Sequence, residues 1–299
     1  MKKLRRRFIL YNIAIIGAVA VIIAMLVYFG APAPMPAGRI LATVFVMFGL
    51  ICIGSALSSK IAMKPVQSSW QRQLDFTADA SHELRTPLAV IQTNLELVMD
   101  NADETVGSQR KWLENIHMEA IRMTSLIDDL LTLSRGDAGE KTLDYSVFSL
   151  PSIAEETAAL FAAAADRKGI SIQIITDGDV QLYADLSRIK QLCHILVENA
   201  VKYMDMPGQI QMAISQKENI VQLVVSDTGK GIAPEHLTNV FNRFYRADKQ
   251  AADGFGLGLS IAEWIVHEHG GSIRADSVPG KGARFTVRIP AGNASPSRK

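Results

Sequence analysis

The sequence has few cysteines and almost no net charge, and both shortages exclude classes of function. Only two of the 299 residues are cysteine, Cys52 and Cys193, and both fall in apolar segments. We therefore expect neither a disulfide nor a thiolate metal site. Lysine and arginine number 31 against 30 acidic residues, a net charge of +1. This balance lacks the basic excess of nucleic-acid-binding proteins, so we expect no nucleic-acid partner.

Two common nucleotide motifs and the spacing of zinc ligands are also missing. The glycine-rich stretch 254–259, GFGLGL, matches neither GxGxxG nor GxxxxGK[ST], which excludes Rossmann and P-loop sites. Most histidines have no partners at zinc-ligand spacing. We expect structural roles for five of them, His117, His194, His236, His267 and His269.

Long apolar runs are present near the N-terminus. Phe8 to Phe29 carries no charge and Ile40 to Leu57 supplies a second run, and the first is long enough to cross a bilayer core of about 30 Å. Five basic residues precede the first run, and Lys60 and Lys64 follow the second. The positive-inside rule then predicts a multi-pass plasma-membrane protein with both ends cytoplasmic. A cleaved signal peptide is the alternative, but its apolar region is normally shorter.

The next segment has the pattern of two amphipathic helices. Apolar residues recur at three- and four-residue steps from about 64 to 100 and again from 108 to 135, with a polar break at 101–107. This predicts an antiparallel helical hairpin. One hairpin cannot bury the apolar stripes of both helices, so we expect a homodimer that forms a four-helix bundle.

The stretch 81–88 of the first helix, SHELRTPL, contains a candidate nucleophile, His82. A carboxylate such as Glu83 that bonds one ring nitrogen fixes the tautomer and leaves the other nitrogen free to attack. Pro87 removes a backbone hydrogen bond, so we expect a bend there. Helical spacing predicts one exposed stripe for His82, Thr86, Ala89 and Thr93. An ordinary surface histidine is the alternative.

After a polar linker at about 136–145, the pattern changes to an α/β sandwich. Asp185 is the expected N-cap of its second helix. The predicted helices are 151–168, 185–203 and 257–269, and the predicted strands are 170–176, 180–184, 209–215, 220–227, 272–275 and 283–289.

The helix that ends in ENAVKY carries the first candidate ligands of this domain. Asn199 and Lys202 are one helical turn apart and are followed by Tyr203. An amide oxygen suits magnesium and an ammonium group suits phosphates, so both can serve one triphosphate. Ordinary helix-end caps are the alternative.

Two glycine clusters suggest where a nucleotide lies. In DTGKG, Asp227 can accept a hydrogen bond from an adenine amine, and Gly229 and Gly231 permit a sharp turn; a plain hairpin turn is the alternative. The second cluster leads into a helix whose free N–H groups can hold phosphates. Its candidate residues are Gly254, Gly256, Leu257 and Gly258, and the run 247–253 before it predicts a lid, with Arg246 as its phosphate contact.

The motifs SHELRTPL, ENAVKY, DTGKGI, FNRFYRAD and GFGLGLSIAEWIVHEHGG resemble, in order and approximate spacing, those of bacterial two-component sensor histidine kinases. The resemblance covers roughly residues 66–291. It implies an ATP-binding domain with the ATPase fold of gyrase and the heat-shock chaperones. Together with the patterns above, it predicts four divisions: 1–58, a basic segment with two transmembrane helices; 59–136, the dimeric phosphotransfer hairpin; 145–291, the ATP-binding domain; and 292–299, a polar tail.

The resemblance also implies roles for individual residues. His82 attacks the γ-phosphorus, Glu83 acts as base, and Asn199 coordinates magnesium, while Lys202 and Arg246 offset phosphate charge. The phosphoryl group then passes to an aspartate of a response regulator, which Thr86 helps to dephosphorylate. Where the family often has a second asparagine for magnesium this chain has Ile195, and Glu198 is either a helper or a surface charge.

The connection between the two apolar runs, 30–39, is too short for a ligand-binding domain. It implies a family type that senses events in the membrane or through a membrane partner such as a transporter. Two other classes stay open, a membrane-anchored ATPase clamp in which His82 is incidental, and an inactive scaffold that binds ATP.

Overall fold

A computed structural model describes residues 17–18, 37–137, 143–247 and 254–292. By its internal contacts the chain divides into two compact units, residues 1–79 and residues 80–299. The bounds of the helices and strands below refer to the described residues.

In the first unit the structure describes the beginning of helix α1, which spans Ala37–Asp100. The predicted span Phe8–Phe29 lies outside the described residues except for positions 17 and 18. The predicted span Ile40–Leu57 has a helical backbone, but most of its side chains lie outside the described set. Within what is described, no helix is both long and apolar enough to cross a membrane.

The second unit opens with the predicted helical hairpin. The remainder of α1 ends at Asp100, and helix α2 spans Arg110–Asp137, two residues beyond its predicted end. The turn is fixed by the buried Gln109, whose Nε2 donates to Val98 O at 3.3 Å and to Asn101 O at 2.5 Å. This amide satisfies carbonyls that the end of a helix leaves without partners. The hairpin is therefore confirmed.

Pro87 lies inside α1 and is buried. The helix continues through it without interruption to Asp100. Proline removes one backbone hydrogen bond without necessarily ending a helix that tertiary contacts support. The bend expected at Pro87 therefore stays a prediction.

The α/β domain of the second unit follows the order predicted from the sequence, with two additional elements. Its helices are α3 Leu150–Arg167, α4 Leu186–Lys202, α5 Pro234–Leu237 and α6 Gly258–Glu268. Its strands are β1 Tyr145–Ser149, β2 Ile170–Thr176, β3 Gln181–Asp185, β4 Gly208–Lys217, β5 Ile220–Asp227, β6 Ser272–Ser277 and β7 Ala283–Pro290. The sequence interpretation missed β1 and α5, which are short.

Five strands form one sheet in the order β2-β4-β5-β7-β6, and β1 pairs with β3 in a separate ribbon. Strands β2 and β4 are parallel, and the other neighbours are antiparallel. Alternate residues of β5, namely Val221, Leu223 and Val225, are buried. A two-residue period of this kind buries one face of the sheet. Helices α3, α4 and α6 complete the two-layer sandwich, as the sequence predicted.

Polar contacts fix both ends of α4, the helix that ends in ENAVKY. At its beginning, the Oδ1 atom of the N-cap residue Asp185 accepts from Arg188 N at 3.1 Å. At its end, Lys168 Nζ donates to Val201 O at 2.9 Å and to Met204 O, just beyond the helix, at 3.2 Å. A cation at a helix C-terminus also interacts favourably with the helix dipole. The last turn of α4 is thus held in place from another helix end.

Two buried residues have structural roles. His269 Nε2 accepts from Asp185 N at 3.1 Å, so its Nδ1–H donates to Ile265 O at 2.8 Å. The structural role expected for His269 is confirmed.

Burial raises the pKa of the Cys193 thiol to about 12, so this cysteine stays protonated and unreactive.

The hairpin contacts the α/β domain through α2 and α6. A Cβ added to Gly136 near the end of α2 would meet the indole ring of Trp264. The guanidinium carbon of Arg122 lies 5.0 Å from the centre of the Phe255 ring, a cation–π distance. In the part of the chain that the structure describes, the buried Trp264 Nε1 has no hydrogen-bond partner. The contact therefore combines a cation–π pair with the packing of the Trp264 ring against Gly136.

Two acidic residues, Asp129 on α2 and Glu198 on α4, repel each other and weaken the contact between the hairpin and the α/β domain. Burial raises the pKa of Asp129 on α2 to about 6, and the negative charges of Glu198 on α4 and Asp128 add to the effect. At neutral pH Asp129 is thus ionised in a partly desolvated position facing a second carboxylate. Each such group costs stability unless it is neutralised.

Replacing Asp129 with asparagine should stabilise the protein at pH 7.5 but not at pH 4. Because the native carboxyl binds its proton more tightly than the unfolded one, the free energy of unfolding of the natural protein falls as pH rises from about 4 to about 6. Asp129→Asn should remove this slope and add roughly 1 to 2 kcal/mol at pH 7.5, allowing for solvent screening. Thermal unfolding of the full chain, followed by circular dichroism, measures the effect.

The exposed neighbour provides the control for this experiment. Asp128→Asn should change the unfolding temperature much less than Asp129→Asn at pH 7.5, because Asp128 is exposed. Equal unfolding temperatures for natural protein and Asp129→Asn at pH 7.5 would contradict the assignment.

Candidate functional site

A cavity of about 100 Å³ is formed by the end of α4, the loop after β5, the segment that ends at Ala247, α6 and β7. Its lining comprises Asn199, Tyr203, Asp227, Lys230, Gly231, Ile232, Val240, Tyr245, Arg246, Ala247, Leu259, Ala283 and Phe285. Five of these were predicted site residues: Asn199, Tyr203, Asp227, Gly231 and Arg246. Motifs that are far apart in the sequence therefore meet at one cavity.

Asp227 is held by two backbone donors at the cavity. Its Oδ1 accepts from Gly229 N at 2.8 Å and from Ala283 N at 3.2 Å. Burial raises the pKa of Asp227, and these two hydrogen bonds partly oppose the rise. Neither donor uses Oδ2. The fixed carboxylate can therefore accept a further hydrogen bond through Oδ2, for example from an exocyclic amine.

The glycines of DTGKG permit close backbone contacts. A Cβ at Gly229 would lie 2.8 Å from Tyr203 O, and one at Gly231, where φ is +68°, would meet Val278 O. No larger residue fits either position without a shift of the backbone. The loop after β5 can thus lie directly against the end of α4.

In the second glycine cluster, Gly254 lies beside Lys202, while Leu259 lines the cavity. A Cβ added to Gly254 would be 2.8 Å from Lys202 Nζ. Leu257 is buried and precedes α6, of which Gly258 is the first residue. The Lys202 ammonium group and the N-terminus of α6 are therefore on the same side of the site, where both favour negative charge. Of the predicted lid, only Ala247 lies within the described residues.

Two lysines flank one aromatic ring at the cavity. The Nζ atoms of Lys202 and Lys230 each lie 5.2 Å from the centre of the Tyr203 ring. Lys230 was not among the predicted site residues, although it belongs to the DTGKG motif. The motif was visible in the sequence, but the direction of this side chain was not.

The apolar wall of the cavity was also missed. Its members are Ile232, Val240, Tyr245, Leu259 and Phe285. Phe285 contacts Phe241 edge to face, with ring centres 6.4 Å apart. In the sequence such residues have the pattern of ordinary core positions, and of the five only Tyr245 carries a polar group, its hydroxyl.

His82 lies on the hairpin and is not part of the cavity wall. The predicted stripe is confirmed, since His82, Thr86, Ala89 and Thr93 are all exposed. In the described part of the chain, no hydrogen bond joins Glu83 to His82 in the side-chain conformations of the structure. The imidazole is exposed, and the carboxylate beside it is half-buried.

The possible metal ligands are few. Among the described residues, no group of three or more histidine, cysteine or acidic side chains is suited to a metal ion. Ile195 is buried and packs toward Gly258, where an added Cβ would lie 3.4 Å from its Cγ2. Glu198 is exposed and 4.0 Å from His194 Nε2, which favours the surface-charge interpretation. A magnesium ion here would depend on the Asn199 amide oxygen, phosphate oxygens and water.

Family models match both parts of the described chain. Residues 72–139 match the His Kinase A (phospho-acceptor) domain. Residues 184–293 match the family of histidine kinase-, DNA gyrase B- and HSP90-like ATPases. The two matches cover the hairpin and most of the α/β domain.

Curated relatives agree with these matches. The sensor histidine kinase RppB of Synechocystis is 31% identical over 249 residues, 82% of this chain and 55% of that protein. The histidine-protein kinase BaeS of Escherichia coli is 33% identical over 232 residues, 75% of this chain and 48% of that protein. The chain thus spans about half the length of these relatives.

Two solved structures of histidine kinases are similar to this chain. Histidine kinase ThkA, solved in complex with the response regulator protein TrrA, has a TM-score of 0.62 and 26% identity over 78% of this chain and 66% of that one. ShkA, solved in complex with AMPPNP, has a TM-score of 0.56 and 27% identity over 75% of this chain and 47% of that one. With its exposed hairpin histidine and its composite cavity, the chain belongs to the bacterial two-component sensor histidine kinases.

Proposed function

We propose that the protein transfers the γ-phosphoryl group of ATP to His82 and then to an aspartate of a response regulator. One observation carries the proposal: ligands from separate motifs meet at one cavity, while a histidine is exposed on a different element. The complexes of ShkA with AMPPNP and of ThkA with TrrA support it.

The cavity residues suit the parts of ATP. Asp227 Oδ2 accepts from the adenine amine, and the apolar wall contacts the base. The Asn199 amide oxygen would hold magnesium, and the bound ion would neutralise phosphate charge. The phosphates then lie toward the remaining predicted site residues, which are Lys202, Arg246, Gly254, Gly256, Leu257 and Gly258. Tyr203 and Gly229 form the close contact between the end of α4 and the loop after β5, to which Gly231 belongs.

The transfer itself requires positioning more than covalent chemistry from the protein. A ring nitrogen of His82 forms a bond to the γ-phosphorus as the bond to the bridging oxygen breaks, and ADP leaves. The proton on the other ring nitrogen passes to Glu83, which must adopt a different rotamer from the one in the structure. The nitrogen–phosphorus bond is high in energy, so the phosphoryl group can continue to an aspartate.

His82→Gln should bind ATP normally but accept no phosphate. Incubated with γ-labelled ATP, the natural full chain should gain phosphate that is labile in acid and stable in base, while the variant stays at background. His117→Gln, an exposed histidine on the other helix of the hairpin, is the matched control and should be labelled normally. Label on His82→Gln would contradict the proposal, and ATP hydrolysis without labelled protein would favour the ATPase clamp.

Thr86 is the proposed phosphatase residue, because it is exposed one helical turn after His82 and a hydroxyl there can orient water. Thr86→Ala should slow dephosphorylation of the phosphorylated regulator by about a hundredfold, because the attacking water is no longer positioned, with self-labelling unchanged. Thr93→Ala, farther along the same exposed stripe, should have no effect. Dephosphorylation at the full rate by Thr86→Ala would remove the assignment.

The proposed homodimer follows from apolar side chains left uncovered on a single hairpin. A second copy would bury them in a four-helix bundle. The exposed apolar residues of the two helices include Leu88, Leu95, Met99, Leu113, Met118, Ile121, Ile127 and Leu131.

Membrane attachment is proposed from the sequence. The uncharged run Phe8–Phe29 and the run Ile40–Leu57 would place the hairpin and the α/β domain in the cytoplasm. The short connection at 30–39 gives little surface for a soluble stimulus. A stimulus within the membrane, or a membrane partner such as a transporter, is therefore the proposed input.

A membrane-anchored dimer makes one joint prediction. The full chain should stay with the membrane in alkaline carbonate, enter solution only with detergent, and then sediment with the protein mass of two chains. Release by carbonate alone would contradict the anchor, and a single-chain mass would contradict the dimer. Leu95→Glu on the exposed face of α1 should shift the mass toward one chain.

A further inference from the structure

The segment between the DTGKG loop and the predicted lid is held together by local turns. From Ala233 onward, every third residue donates a backbone hydrogen bond to the residue three before it. These bonds are His236 N to Ala233 O, Asn239 N to His236 O and Asn242 N to Asn239 O, each 2.9 Å, and Tyr245 N to Asn242 O at 3.2 Å. The described segment joins no strand. Irregular segments with few long-range bonds open more easily than sheets and long helices.

One side-chain contact joins His236, near the beginning of this series of turns, to Tyr245 at its end. His236 Nδ1 and Tyr245 Oη lie 2.7 Å apart in a half-buried position, nine residues apart in the chain. One of the two atoms donates and the other accepts, depending on the tautomer. Since Tyr245 also lines the cavity, the contact links α5 directly to the cavity wall.

The backbone at Tyr245 needs such support. Phe244, just before it, has φ of +59°, a left-handed conformation that is costly for a bulky residue and persists only where the surroundings hold it. Gly256, which follows residues 248–253 in the chain, also has positive φ. A Cβ added to Gly256 would lie 2.7 Å from Tyr245 O. Gly256, which follows the predicted lid in the chain, therefore lies against the backbone of Tyr245, which precedes it.

We propose that His236 is a positioning residue for nucleotide binding, which fixes Tyr245 in the wall of the cavity through the Nδ1–Oη contact. The inference rests on the proposed function, in which this cavity binds ATP. His236 touches neither the cavity nor His82 in this assignment, so it governs how tightly nucleotide is held and not how fast the bound phosphoryl group is transferred.

A set of matched substitutions tests the contact. His236→Leu removes the ring nitrogen, and Tyr245→Phe removes only the hydroxyl. His236→Asn keeps a polar atom at the δ position and should restore the bond. His267→Leu, an exposed histidine on α6, is the control. Binding of AMPPNP with magnesium to the detergent-solubilised full chain, measured by calorimetry, is the readout.

His236→Leu and Tyr245→Phe should each raise the Kd for AMPPNP by about three- to tenfold, the range of one lost hydrogen bond. The double variant should bind no more weakly than the weaker single variant, because both remove the same contact. His236→Asn and His267→Leu should bind like the natural protein. In self-phosphorylation, KM for ATP should rise with Kd, while kcat at saturating ATP stays within about twofold.

The possible failures are distinguishable. Natural protein that binds no AMPPNP would overturn the proposed function itself. Natural affinity in Tyr245→Phe, multiplicative losses in the double variant, or a fall in kcat without a change in Kd would overturn only the role of His236. If His236→Leu does not fold, the comparison of His236→Asn with Tyr245→Phe decides. Tighter AMPPNP binding by His236→Asn than by Tyr245→Phe supports the proposal, and equal binding by these two variants overturns it.

Discussion

The candidate site depends on the anchoring of one helix end, the last turn of α4. Lys168 Nζ bonds carbonyls at and beyond this turn, and Gly229 lies against Tyr203 O. The turn supplies Asn199 to the cavity and Lys202 to the glycine-rich segment. Because these side chains share one rigid backbone, their relative positions are set before any ligand arrives, and that reduces the cost of ordering them on binding.

The sequence predicted the elements with strong patterns and the residues with distinctive chemistry. Strands β2 and β5 and the N-cap Asp185 were located correctly, because alternation and capping are local signals. Asn199 and Asp227 were found because amide and carboxylate groups stand out within apolar segments. The short strand β1 and the helix α5 were missed, since pairing with β3 and packing of a single turn are tertiary effects that leave little local pattern.

The directions of the side chains at the site were the main feature that could not be predicted from the sequence. Adjacent positions suggested that Glu83 bonds His82, yet no such bond forms among the described residues in the side-chain conformations of the structure. Lys230 and Tyr245 line the cavity although their motifs gave no reason to prefer them. Periodicity specifies which face a residue occupies, whereas the contacts across a cavity depend on loops whose course is set by distant partners.

The contact between hairpin and α/β domain combines attraction and repulsion. Arg122 lies over Phe255, the residue between the first two glycines of the second cluster, while Asp129 faces the negative charge of Glu198. Trp264 Nε1, which has no hydrogen-bond partner among the described residues, weakens the contact further. A firm, fully satisfied interface would hold the cavity in one place relative to the hairpin. The proposed transfer needs the cavity to come close to His82, and a contact that combines attraction with repulsion would cost little to break for such a movement.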